Sequence, residues 1–178
     1  AELARIVDVN LRAPVMLSRI ALNYLREEDE AAIINVGSLG GRTPVPGSTT
    51  YSATKAGLRF FTLALADELR DSPIKVGLVS PGPVETDFIL GDIDSTADIT
   101  VSQPMSTPEQ VAQAILDLCG NKQREVAMPR VTGLLTTLVY LFPWIGRQMR
   151  PALERKGRRF KEQFKAERKR RESGSPDS

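Results

Sequence analysis

The 178-residue sequence contains no histidine. Histidine is the side chain whose ordinary pKa lies nearest neutrality, so an enzyme built on this chain must move protons by other means. A single cysteine, Cys119, excludes an internal disulfide and fits a reducing, cytoplasmic setting. No set of metal-ligating residues is read in the chain. The longest strongly apolar run, "VTGLLTTLVYLFPWIG" (131 to 146), is broken by Pro143. It is short of the ~20 residues a bilayer span needs. Aromatic residues make up only 6% of the chain. In the basic C-terminal stretch only Phe160 and Phe164 are available to stack on bases, so nucleic acid is an unfavoured partner.

What is present is the composition of a globular domain, with 41% hydrophobic and 26% charged residues. The net charge of +2 conceals an asymmetry. Twelve Lys/Arg stand against three Glu between Arg147 and Arg171, a balance of +9, and the remainder carries −7. The chain opens on Ala1 inside an amphipathic pattern, with Leu3, Ile6, Val7 and Leu11 at helical spacing. The expectation is therefore one long helix over 1 to 27, belonging to a chain that is a fragment of something longer. "AAIINVGS" (31 to 38) and "IKVGLVS" (74 to 80) are short, β-branched apolar runs ended by Gly, Ser or Pro, the pattern of strands buried on both faces. Thr49 or Thr50 is expected to cap a helix from Tyr51 to Leu69, and Thr107 with Pro108 to start one through Leu118. "EVAMP" (125 to 129) reads as a third strand, and 88 to 107 as a long loop. Alternation of strand and helix predicts an α/β fold, a parallel sheet with helices on both faces. Ligands of such sheets gather at the carboxyl ends of the strands. Ser38 and Pro81-Gly82 lie at those ends.

Tyr51 and Lys55 are four residues apart, on one face of their helix. A free tyrosine has a pKa near ~10, and an ammonium one turn away favours the phenolate. Such a pair can act as a general acid/base without histidine. The spacing alone is a weak signal, since three tyrosines and seven lysines yield it by chance in roughly one such chain in ten. Ser38, thirteen residues earlier, offers a hydroxyl at a strand end, and "SPGPVET" (80 to 86) offers close-approaching backbone and the Thr86 hydroxyl. Pro14 lacks an N–H, so the Asn10 carbonyl loses its ordinary helical donor and invites another.

As a set, "VDVNLRAP", "IINVGSLGG", "YSATKAGL" and "IKVGLVSPGPVETDF", in this order over residues 7 to 88, resemble the short-chain dehydrogenase/reductase family. The resemblance implies a Rossmann-type fold, of which this chain is the second half. It also implies a nicotinamide cofactor, NAD or NADP with NADP slightly favoured, and hydride exchange with a carbonyl or alcohol. It casts Tyr51 as acid/base and Ser38 as the group polarising the substrate oxygen. Lys55 is cast as the residue binding the nicotinamide ribose, and Asn10 as the carbonyl that holds a water toward Lys55. Tyr51, Lys55, Pro81, Gly82, Val84 and Thr86 would touch the cofactor. It further implies a homo-oligomer associating through the helices of 1–27 and 51–70. An apolar band of Phe60, Phe61, Leu63, Leu65 and Leu69 is expected there to face both core and partner.

The organisation expected is a catalytic portion (1–130), an apolar helical segment (131–149) and a basic, partly disordered tail (150–178). A competing reading makes the polypeptide a catalytically inactive subunit acting through helix association. Phe88, Ile89, Leu90, Ile93, Ile99, Val101 and Met105 give the loop after "PGPVET" an apolar character that suits a lipophilic substrate. The tail beside an apolar, aromatic segment has the composition of a membrane-surface contact, set against a packed helix with a solvated, basic end. The sequence contains no Gly-rich turn of the kind that seats a dinucleotide pyrophosphate on a helix N-terminus. The 178-residue chain alone is therefore expected to show no heat of binding with NADH or NADPH in calorimetry, whereas micromolar affinity would contradict that expectation.

Overall fold

The computed structural model describes residues 1–120 and 123–173. Three strands, β1 (Ala31–Val36), β2 (Ile74–Pro81) and β3 (Glu125–Met128), form a parallel sheet in the order β1-β2-β3. Ala31 pairs with Ile74 and Val36 with Val79, while Leu78 pairs with Glu125 and Pro81 with Met128. The strands therefore finish near one edge, where "VGS" and "PGP" leave the sheet.

Side chains of β2 alternate between two helical layers, as the two-residue period requires. Ile74 and Val76, with Ile33 of β1, pack on Leu22 of α2 (Ala13–Leu25) and on Leu65 and Ala66 of α3 (Thr49–Glu68). On the other face a Cβ at Gly77 would stand 3.1 Å from Ile34 Cδ1 and 3.3 Å from Leu118 Cδ1. Leu118 belongs to α6 (Pro108–Gly120), which covers that face. Each fully buried aliphatic side chain contributes about 1.5–3 kcal/mol. This sandwich is the Rossmann-type arrangement expected.

The first helix is not continuous. Between α1 (Glu2–Val7) and α2 lies a π turn, Asp8–Arg12, in which the Ala13 N–H donates to the Asp8 carbonyl five residues back. Pro14 cannot supply the donor that would continue the ordinary ladder at Asn10. The wider turn is how the helix accommodates that loss. Thr49 and Thr50 lie inside α3 rather than capping it. Ser48 precedes the helix, with no side-chain cap bond, and accepts the Ser52 N–H on its carbonyl at 2.8 Å. Thr107 does cap: its hydroxyl accepts the Gln110 N–H at 3.3 Å, and Gln110 Oε1 accepts the Thr107 N–H at 3.0 Å, a reciprocal capping box.

The expected loop 88 to 107 carries two single turns, α4 (Asp87–Leu90) and α5 (Asp98–Val101). Ile93 and Val101 bury into the body; the side chain of Phe88 lies outside the described residues. The C-terminal segment forms α7 (Arg130–Leu141) and α8 (Pro143–Ser173), separated at Phe142. The disorder expected of the final residues falls on 174–178, outside the described residues. Lys161 and Arg158 of α8 pair with Asp98 at 2.9 and 3.2 Å, and Lys165 pairs with Asp94. The Lys161 ammonium, hydrogen-bonded to Asp98, holds that carboxyl below its ordinary value. Thus three cations of the basic tail hold the loop, a contact that neither the solvated nor the membrane-surface reading included. Among the described residues no helix is long and apolar enough to cross a membrane. Leu65 of the apolar band on α3 is buried, Phe61 and Leu69 flank the core, and Phe60 is exposed, as are Leu3, Val9, Leu17 and Tyr24 of the first helices.

A partly buried ionic cluster ties these layers together. Glu125, at the start of β3, accepts from Arg59 of α3 (Nε–Oε1 3.0 Å, Nη2–Oε2 2.9 Å) and from the Ser80 hydroxyl at 3.0 Å, and pairs with Arg42 Nη1 at 2.5 Å. Arg42 continues to the Thr136 and Thr137 hydroxyls of α7 at 3.2 and 2.9 Å. Burial pushes the Glu125 carboxyl up, but hydrogen bonds from Arg59 and Arg42 outweigh it, leaving a lowered pKa. Its stabilising contribution is thus present above the ordinary carboxylate range and is lost as pH falls through the lowered folded value. Glu125→Gln should cost about 1.5–3 kcal/mol in urea unfolding at pH 7, because the charge-assisted hydrogen bonds from two arginines are lost. The difference from wild type should shrink in acid; an unchanged midpoint at pH 7 would contradict the role.

Candidate active site

The first strand ends at Val36, and the chain turns sharply through Gly37 and Ser38 into a 3₁₀ turn, Leu39–Gly41. Ser38 is extended, and its Oγ accepts the Gly40 N–H at 3.1 Å. That bond fixes the hydroxyl oxygen and leaves its proton free to be donated elsewhere. Gly41 lies on the backbone of α3: a Cβ there would come within 2.6 Å of the Lys55 carbonyl carbon. Gly40 faces the site itself. A Cβ at Gly40 would stand 3.5 Å from Ser38 Oγ and 3.6 Å from Tyr51 Cε1. Ser38 and the Tyr51 ring therefore flank one point in space.

Lys55 follows Tyr51 by one helical turn, with Nζ 5.9 Å from the tyrosine ring centroid. The same Nζ donates to the Val36 carbonyl at 2.9 Å, at the end of β1. Burial lowers the Lys55 pKa, because a desolvated ammonium loses hydration. Lys55 thus joins the helix that carries Tyr51 to the strand that carries Ser38.

The second strand supplies the facing wall. The Gly82 N–H donates to the Met128 carbonyl at 2.7 Å, and a Cβ at Gly82 would meet Leu39 Cδ1 at 3.2 Å. Val84 bridges to Ser106, and the Thr86 N–H closes back on the Val84 carbonyl at 2.8 Å. Ser38, Tyr51, Lys55, Pro81, Gly82, Val84 and Thr86 all line one cavity of about 1250 Å³. Asn10 does not line it. It is half-buried in the π turn, beside Leu11, whose side chain lies 3.2 Å from a Cβ placed on Gly57 of α3.

Two features of the cavity were not read in the sequence. Gln103, from the loop, also lines it, and its Oε1 is buried without a hydrogen-bond partner among the described residues. Residues of α7 and α8, including Leu135, Val139, Arg147 and Leu153, complete the wall. Both depend on contacts between segments distant in sequence. Of the loop's apolar residues, Ile89 and Ile99 face the cavity.

Comparison with known proteins points the same way. The model of the short chain dehydrogenase family matches residues 1–94. The chain is 34% identical over 145 residues to the ketoacyl reductase HetN of Nostoc sp., covering 78% of this chain and 48% of that protein. It is 33% identical over 118 residues to carbonyl reductase family member 4 of Xenopus tropicalis, covering 66% and 50%. The chain therefore spans about half the length of the curated relatives it matches. A short chain dehydrogenase of Burkholderia cenocepacia solved with NADP superposes with a TM-score of 0.65 at 23% identity, covering 81% of this chain and 58% of that one.

Proposed function

This chain belongs to the short chain dehydrogenase family, and from that membership we propose that its cavity serves hydride exchange between a nicotinamide cofactor and a carbonyl or alcohol. The observation that carries the proposal is that Ser38, Tyr51 and Lys55 line one cavity, with the serine hydroxyl and the tyrosine ring both within 3.6 Å of a Cβ placed on Gly40.

The residues fit a nicotinamide in two respects. Gly82 leaves room where any side chain would press on Leu39, and the unpartnered Gln103 Oε1 is a buried acceptor suited to an amide N–H. Tyr51, Lys55, Pro81, Gly82, Val84 and Thr86 would hold the cofactor, NAD or NADP, which when bound gives or takes the hydride. In the reductive direction the Tyr51 hydroxyl passes its proton to the substrate oxygen as that oxygen gains charge. The Ser38 hydroxyl donates a hydrogen bond to the same oxygen. Lys55, as an ammonium held by the Val36 carbonyl, stabilises the tyrosinate left behind. Asn10 has a supporting role through its carbonyl, holding a water toward Lys55. In the oxidative direction each proton runs the other way. Ile89 and Ile99 in the cavity wall favour a lipophilic substrate.

The test uses the chain joined to a dinucleotide-binding half, so that it spans the full length of its relatives. Tyr51→Phe should lower kcat by about 10²–10⁴-fold, the range of general acid–base catalysis, and leave cofactor affinity nearly unchanged. Lys55→Met should lower both. A Tyr51→Phe enzyme that turns over at the wild-type rate would overturn the assignment.

A further inference from the structure

Among the described residues, the Lys, Arg, Asp and Glu side chains that line the cavity bear one sign. Lys55, Arg147, Arg150 and Lys156 face it, and no aspartate or glutamate does. Three of these four lie on α8. That helix is seated against the body, as two glycines eleven residues apart show. A Cβ at Gly146 would stand 2.6 Å from Val139 Cγ1, and one at Gly157 would overlap the Asp98 carbonyl oxygen. Eleven residues are three helical turns, so both glycines lie on the face that α8 turns to the molecule. Leu153 lies between them on that face and lines the cavity.

Three carboxylates on the loop and on α8 are already engaged. Asp94 and Asp98 of the loop are taken by Arg158, Lys161 and Lys165. Arg150 is paired with Glu154 at 2.6 Å. Arg147 and Lys156 have no carboxylate partner among the described residues. An apolar cavity rimmed by unneutralised cations attracts anions. The apolar part of the wall is supplied by Ile99, Leu135, Val139 and Leu153.

We infer that the cavity takes a substrate with an apolar body and a negatively charged end, a phosphate or a carboxylate. The body lies along α7 and α8, and Arg147 and Lys156 receive the charge. The inference rests on the proposed function only in taking this cavity for the substrate's. Helix α8 is then a specificity element, and the loop's ion pairs with Arg158, Lys161 and Lys165 hold it in place.

The test is calorimetry on the full chain without cofactor, using octyl phosphate, octanoate, octanol and octylammonium. The two anions should bind roughly fivefold or more tightly than octanol, and octylammonium more weakly than octanol. The better anion identifies the head group. The exposed pair Arg147→Gln/Lys156→Gln should bring the anions within about twofold of octanol and leave octanol unchanged. Equal binding of octylammonium and octyl phosphate, or an anion preference that survives the double variant, overturns the proposal. Displacement of octyl phosphate by NADPH would assign the cations to the cofactor and overturn it too. Anionic-vesicle binding unchanged by the double variant, without a preference among the soluble probes, would move the charge recognition to the outer surface and likewise overturn it. The readout is binding, so it stands or falls independently of whether Tyr51 transfers a proton.

Discussion

At Gly41 the turn that follows β1 rests directly on the backbone of α3. A Cβ there would lie 2.6 Å from the Lys55 carbonyl carbon and 2.9 Å from the Ala56 nitrogen, closer than any side-chain carbon approaches backbone. Only a residue without a side chain permits the contact. Ser38 precedes it by three residues, and Tyr51 precedes Lys55 by one turn. One backbone approach therefore sets the distance between the hydroxyl at the strand end and the phenol on the helix. The Lys55 bond to the Val36 carbonyl closes the same junction from the other side.

Around that junction the molecule uses charge where apolar packing runs out. Glu125 sits between Arg42, from the turn, and Arg59, from α3, and Arg42 reaches on to α7. The cluster thus connects the edge strand, the helix of Tyr51 and Lys55 and the first C-terminal helix. Farther out, Asp94 and Asp98 perform the corresponding task for α8. Glu125 is mostly shielded from solvent, so its network is expensive to break. The outer pairs are more exposed and individually weak; the close seat of Gly157 on the Asp98 carbonyl positions them.

How much of this was legible in the sequence follows the range of the interactions. Strands β1 and β2 were readable because "AAIINV" and "IKVGLVS" are short β-branched apolar runs that end in Gly, Ser or Pro. Burial on both faces holds for β2 but not for β1, whose Val36 is exposed at the sheet edge. Thr107 was readable as a cap because its partner Gln110 is three residues away. Pro14 announced the disturbed helix, since its missing N–H acts within one turn, and the disturbance took the form of a π turn. The spacing of Ser38, Tyr51 and Lys55 was visible, and the structure brings all three to one cavity. The helix start was misplaced to Thr49 or Thr50, because three adjacent hydroxyl residues at 48–50 are equivalent in local chemistry. The Glu125 cluster and the docking of α8 were invisible for the opposite reason. Arg59 and Glu125 are 66 residues apart, and Arg158 and Asp98 are 60 apart. No local pattern distinguishes a lysine that will meet such a partner from one that faces water or a membrane, so neither reading of the tail included its pairing with the loop.

The central claim is that a backbone contact, rather than the Ser38, Tyr51 and Lys55 side chains alone, sets the site. It is tested most directly by the turnover rate of Gly41→Ala, compared with Gly120→Ala, in the chain joined to a dinucleotide-binding half. At Gly120 a Cβ would meet nothing within 4 Å among the described residues. If the claim holds, Gly120→Ala keeps the wild-type rate. Gly41→Ala, still folded by circular dichroism, loses about tenfold or more in kcat, as expected when catalytic groups are displaced by a fraction of an ångström to an ångström. A folded Gly41→Ala enzyme with the wild-type rate would contradict it.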